Sequence, residues 1–93
     1  MIISFGNKET ENIWKGKRVK GLPLEIQKVG RRKLRMLNNS QNLQDLKILP
    51  SNSLEKLSGR FKDYYSIRIN LQWRVVFRWN NSNAEEVIII DYY

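Results

Sequence analysis

The chain has 93 residues, 17 basic against nine acidic, for a net charge of +8 and a pI near 10.1. It has neither cysteine nor histidine, which excludes disulfides, thiolate metal sites and an imidazole proton shuttle. A single domain over residues 1–93 is expected, burying only about 60% of its unfolded surface or slightly more.

The opening MIISFGNKETEN has no basic segment followed by a long apolar one, and no apolar run approaches the roughly 20 residues of a membrane span. A soluble, cytoplasmic chain without a membrane partner is expected. Ile2 to Phe5 reads as a short strand. Asn7 is placed to cap a helix over about 8–15, with Gly16 as its stop. KGKRVKG follows as a basic, glycine-punctuated loop, and residues 15–35 hold nine Lys or Arg and one acid, Glu25. Charge of this kind concerns partners and favours polyanions, with a solubilising surface as the plain alternative.

The clearest helix spans about 23–38. Ile26, Val29, Gly30, Leu34, Met36 and Leu37 fall within about 160° of arc, with Lys28, Arg31, Arg32 and Arg35 opposite them. Lys33 falls inside the apolar arc, from which its stem can snorkel to solvent. Leu43 and Leu46 suggest one or two further turns before Pro50.

From residue 53 the period changes to two. YYSIRIN sets Tyr65, Ile67 and Ile69 against Tyr64, Ser66, Arg68 and Asn70. WRVVFRWN sets Trp73, Val75, Phe77 and Trp79 against Arg74, Val76, Arg78 and Asn80. Two strands joined through Asn70, Leu71 and Gln72 predict an antiparallel hairpin. After the polar turn Asn80 to Ala84, the run Val87 to Ile90 suits a strand covered on both faces. The order predicts an α+β domain: an antiparallel or mixed sheet of about four to five strands, with two to three helices on one face.

This arrangement leaves Arg68, Arg74 and Arg78 on the uncovered face and delivers Asp91, Tyr92 and Tyr93 to the sheet end. Guanidinium groups and exposed phenols on one surface suit single-stranded RNA. Cleavage further requires activation of a ribose 2′-hydroxyl, stabilisation of a phosphorane and protonation of the 5′-oxygen. Arginine serves the second need; Tyr, Asp, Glu or Lys must serve the others. Asp91 is suited to accepting a proton, orienting a tyrosine or pairing with Arg74. The scattered acids argue against a two-metal nuclease, and no phosphate-binding glycine loop is present, so neither metal nor cofactor is expected.

LEKLSG, YYSIRINLQWRVVFRW and the closing IIIDYY, with MIISF and RRKLRML, together resemble the HigB-type or "plasmid maintenance killer" toxins of the RelE superfamily. The resemblance spans nearly the whole chain. It implies a microbial-RNase-like fold and a ribosome-dependent endoribonuclease that cuts mRNA in the A site of the small ribosomal subunit. It also implies a HigA-type helix-turn-helix antitoxin as partner, with operator DNA engaged only through the complex. Matched to the family's motifs, Arg74 in QWR is the phosphate-contacting arginine, Arg68 in SIRIN a second cation, and Lys56 in EKLSG a basic site residue. Asp91 and Tyr92 match the first two members of a terminal Asp-Tyr-His.

Two departures stand out. Tyr93 replaces the family's histidine, so a phenol substitutes, activity is reduced, or the proton carriers lie elsewhere. LSGRFK replaces the commoner L-x-G-[DN]-R, which moves Arg60 one position early and puts Phe61 in the arginine's place, to stack a base or to pack. Arg60, Phe61, Lys62 and Arg78 complete the expected RNA-binding set. The alternatives are a binding-only relative that has lost turnover, and a structural ribosome-associated or DNA-binding protein supported by charge alone.

Overall fold

The computed structural model describes residues 1–92. Tyr93 therefore lies outside the described residues. Helix α1 (Lys8–Trp14) starts where Asn7 Oδ1 accepts the Thr10 N–H, and the chain leaves it through Gly16 at φ 83°. Helix α2 (Leu24–Asn39) follows Pro23, and the short α3 (Leu43–Lys47) opens with a reciprocal capping box between Asn42 and Asp45. A 3-10 turn at Pro50–Asn52 leads into the two-residue strand β1 (Glu55–Lys56). A second 3-10 turn (Gly59–Phe61) leads into β2 (Tyr65–Arg68), β3 (Trp73–Asn80) and β4 (Asn83–Asp91).

The four strands form one antiparallel sheet in the order β1-β2-β3-β4. The predicted first strand is present only as two isolated parallel bridges, Ile2 to Ala84 and Phe5 to Val87, on the outer edge of β4. Asn81 and Ser82, both at positive φ, form the two-residue turn between β3 and β4, the backbone twist a tight hairpin needs. Asn70 Oδ1 caps the β2–β3 turn by accepting the N–H groups of Gln72 and Trp73.

All three helices contribute to one core against one sheet face. Ile13, Ile26, Leu34, Leu37 and Leu46 meet Ile67, Val75, Phe77, Val87 and Ile89. Gly30 is the point of closest approach: a Cβ there would stand 2.9 Å from Ile89 Cδ1. The expectation that β4 is covered on both faces is corrected. Val87 and Ile89 are buried, whereas Ile88 and Ile90 are half-buried on the side the helices leave bare. β-branched residues suit a strand covered on one face as well as one covered on two.

Lys33 also departs from expectation. Its Nζ donates to Asn52 Oδ1 (2.7 Å), and Asn52, fully buried, donates in turn to the Leu46 carbonyl (2.9 Å). Burial, then the neighbouring Arg32, pulls the Lys33 pKa below its ordinary value. Between that lowered value and 10.5 the unfolded chain binds more protons than the folded one, so this residue's contribution to stability rises with pH there. Urea denaturation of wild type relative to Lys33→Met, followed as pH approaches 10.5 from below, should show wild type gaining ground.

Thr10, also fully buried, ties α1 to the sheet: its Oγ1 accepts the Ile89 N–H at 2.9 Å. Thr10→Val keeps the shape but orphans that buried donor, and should cost about 1–3 kcal/mol in urea denaturation. Thr10→Ser should retain most of it.

Candidate ribonuclease site

Strand register decides which side chains share the bare face. Arg68 stands opposite Arg74, and Arg74 opposite Ile90, so the three form one rung. Tyr92, two residues beyond Ile90, returns to the same side, and its N–H donates to the Gln72 carbonyl at 3.0 Å. The β-branched run of β4 thus carries a phenol to the arginine rung. Tyr92 remains 41% exposed, open to a ligand.

Arg74 is half-buried and fixed from behind. Its Nε donates to Ser66 Oγ (2.7 Å), and Nη2 donates to the Ser53 carbonyl. Ser66 is one register step from Arg74 on the same face; Ser53 presents its carbonyl from a left-handed conformation at φ 43°. These contacts use two of the five guanidinium N–H bonds and leave the others for an incoming oxyanion. Burial pulls the Arg74 pKa below the ordinary guanidinium value, and Arg68 adds to that; Glu55 and Tyr92 oppose it. Two guanidinium groups directly opposed across a ladder repel, and an anion between them would relieve the repulsion.

A pocket of about 370 Å³ opens here, lined by Glu55, Leu71, Gln72, Arg74 and Tyr92. A neighbouring one of about 340 Å³ shares Tyr92 and is lined also by Ser58, Arg60, Phe61, Ile90 and Asp91. Arg60 lies 4.8 Å over the Phe61 ring, so the shifted LSGRFK motif places a stacked cation and aromatic beside Tyr92.

The remaining expected residues are distributed differently. Asp91 pairs in register with Trp73, on the helix-covered side, and its carboxylate accepts Gln72 Nε2 at 2.7 Å. Lys56 stands opposite Tyr65, whereas Glu55 stands opposite Ser66, on the side of Arg74. Neither Lys56 nor Lys62 lines either pocket. Arg78 is at the far end of the sheet, 3.5 Å from the Glu86 carboxylate and 5.7 Å from the Tyr64 ring. Tyr64 donates to that same carboxylate, and burial first, then Glu86, raises its pKa above the ordinary phenol value. Among the described residues no group of three or more His, Cys, Asp or Glu could hold a metal ion, and no helix is long and apolar enough to cross a membrane.

Sequence reading missed Glu55, Ser53 and Ser66 as site residues. Ser66 was legible, since the YYSIRIN alternation already sets it on the side of Arg68. Glu55 becomes visible only with the β1–β2 register, and Ser53 acts through a backbone carbonyl that its side chain does not announce.

The fold is that of a small α+β domain with an arginine-lined pocket on its bare sheet face. Residues 3–93 match the family model described as "RelE-like toxin of type II toxin-antitoxin system HigB", and the chain belongs to that family. It is 38% identical over 80 residues to Toxin HigB-1 of Vibrio cholerae, covering 85% of this chain and 84% of that one. It is 35% identical over 68 residues to an uncharacterized protein of Haemophilus influenzae, covering 73% and 67%. Two structures of the YoeB–YefM complex from Staphylococcus aureus share the fold, with TM-scores of 0.62 and 0.61 at 16% identity. They cover 100% of this chain and 99% and 98% of theirs.

The clamp on Arg74 is open to a direct test. Ser66→Ala should cost about 1 kcal/mol of stability. It should also speed solvent exchange of the Arg74 Nε–H in NMR spectra, whereas the exposed Arg60 should exchange as before.

Proposed function

We propose that the protein is a ribosome-dependent endoribonuclease that cuts mRNA in the ribosomal A site and is held inactive by a HigA-type antitoxin. The observation that carries this reading is the pinned guanidinium of Arg74, opposed by Arg68, in a pocket shared with Glu55 and Tyr92. Family membership and the fold shared with the toxin of a toxin–antitoxin complex support it.

In this reading Glu55, an acid free of the need for histidine, takes the proton from a ribose 2′-hydroxyl. The 2′-oxygen attacks the adjacent phosphorus, and Arg74 with Arg68 holds the charge that builds on the non-bridging oxygens. Tyr92 gives its phenolic proton to the departing 5′-oxygen. The products are a 2′,3′-cyclic phosphate and a 5′-hydroxyl, with no step assigned to a metal. Arg60 and Phe61 flank the scissile position and take the neighbouring nucleotide by charge and stacking. Asp91, through Gln72, fixes the pocket wall.

Induced expression with mapping of mRNA 5′ ends tests the reading. Wild type should arrest growth and give cuts confined to translated regions. Arg74→Ala should reduce cleavage by about 10²-fold or more, as loss of a fixed oxyanion donor does. Glu55→Gln should lower the rate, while Glu55→Asp restores part of it. Growth arrest by wild type without such cuts would leave a binding-only protein as the better account, and unchanged cleavage in Arg74→Ala would overturn the role given to Arg74.

A further inference from the structure

We propose that Asn52, buried against α2 and α3 and lining neither pocket, is a positioning residue for Arg74 that acts through the carbonyl of Ser53, a role that rests on the cleavage proposed for the Arg74 pocket. Three polar side chains are fully buried among the described residues: Asn52, Thr10 and Ser66. Ser66 braces Arg74 at Nε. Asn52, the largest of the three, stands behind the other brace. A buried polar group is costly unless its donors and acceptors are met, and a fully met one rigidifies what it joins.

Both polar atoms of the Asn52 side chain have partners. Oδ1 accepts from Lys33 Nζ at 2.7 Å, and Nδ2 donates to the Leu46 carbonyl at 2.9 Å and to the Met36 sulfur at 3.2 Å. Lys33 and Met36 belong to α2 and Leu46 to α3, so one amide ties the loop to both helices. Its own N–H donates to the Leu49 carbonyl at 3.0 Å and closes the 3-10 turn. Ser53 follows directly. Its N–H donates to the Pro50 carbonyl at 3.0 Å, its φ of 43° is left-handed, and Leu54 beyond it packs on the core. A residue other than glycine keeps that conformation only where its surroundings impose it. Asn52 imposes it from one side and Leu54 from the other, and the Ser53 carbonyl is thereby aimed at Arg74 Nη2.

The amide meets demands that its isosteres do not. An aspartate would pair with Lys33 but has no N–H for the Leu46 carbonyl, and a leucine would leave both groups unpaired. Without the amide the loop is free to shift, and the Ser53 carbonyl draws away from Nη2. Arg74 then keeps its charge and its bond to Ser66 but pivots about Nε. Attraction for a phosphate is retained, whereas the placement of the guanidinium N–H groups on the non-bridging oxygens is lost. The rate of bound substrate therefore falls while binding stays nearly constant.

Two measurements on the full chain test this. Rotation of the Arg74 guanidinium, followed by exchange NMR of its Nη groups, should speed up about tenfold in Asn52→Ala, because the bond from Nη2 to Ser53 restrains it. Single-turnover cleavage of mRNA on programmed ribosomes should slow about tenfold or more at saturation, with the half-saturating concentration within about twofold of wild type. Thr10→Val disturbs another fully buried polar side chain, outside this series of contacts, and controls for lost stability. It should leave both readings as in wild type. Should Asn52→Ala fail to fold, Lys33→Met, which removes one partner of the amide, should move both readings the same way by about threefold. Unchanged Arg74 rotation in folded Asn52→Ala or in Lys33→Met overturns the proposal, as does Thr10→Val moving both readings equally. Rotation is read without turnover, so absence of cleavage by wild type counts against the nuclease reading and leaves the rotation arm to decide on Asn52.

Discussion

Arg74 cannot be aimed by its own strand alone. A long, flexible side chain gains a fixed direction only when its N–H groups are taken up from behind, and here Ser66 Oγ and the Ser53 carbonyl do so. Ser53 in turn follows Asn52, whose buried amide is bonded to Lys33 of α2, to the Leu46 carbonyl and to the Met36 sulfur. The direction of one cation on the bare face thus depends on a polar cluster between the helices and the loop. Asn52 is one link between core and site. A change that relaxes the packing of α2 or α3 reaches the pocket through that amide without touching it directly.

Much of this was legible in the residues. The 3.6-residue period of α2 and the two-residue alternation of β2 and β3 placed Leu34, Val75 and Phe77 in the core and Arg68 and Arg74 outside it. The asparagine cap of α1 and its stop at Gly16 were readable for the same reason, since short-range chemistry decides them. What was not legible depends on pairing between distant segments. The register of β1 on β2 exchanges Glu55 for Lys56 on the site face. The N-terminal segment, strand-like in composition, makes only two isolated bridges to β4. Lys33 is drawn inward by an amide nineteen residues away, which no local pattern contains.

The distribution of charge gives the two faces different physical tasks. Around Arg74 the cations are few, oriented and accompanied by Glu55, so their effect is short-ranged and geometric. Along α2 and the preceding loop they are many and mostly exposed, so their field reaches further and is screened by salt.

The sheet also carries one irregularity between Val76 and Arg78, where β4 inserts an extra residue and Glu86 takes a positive φ of 51°. Ser4 stabilises that kink, its Oγ accepting the Glu86 N–H and its carbonyl the Val87 N–H. The inserted residue brings a carboxylate within reach of Arg78 and Tyr64, which neutralises that end of the bare face. The sheet surface is in consequence polarised along its strands, with a quenched pole beside the amino-terminal segment and a live one at Tyr92. An anion meeting this face is drawn toward the Tyr92 end and away from the end that Glu86 occupies.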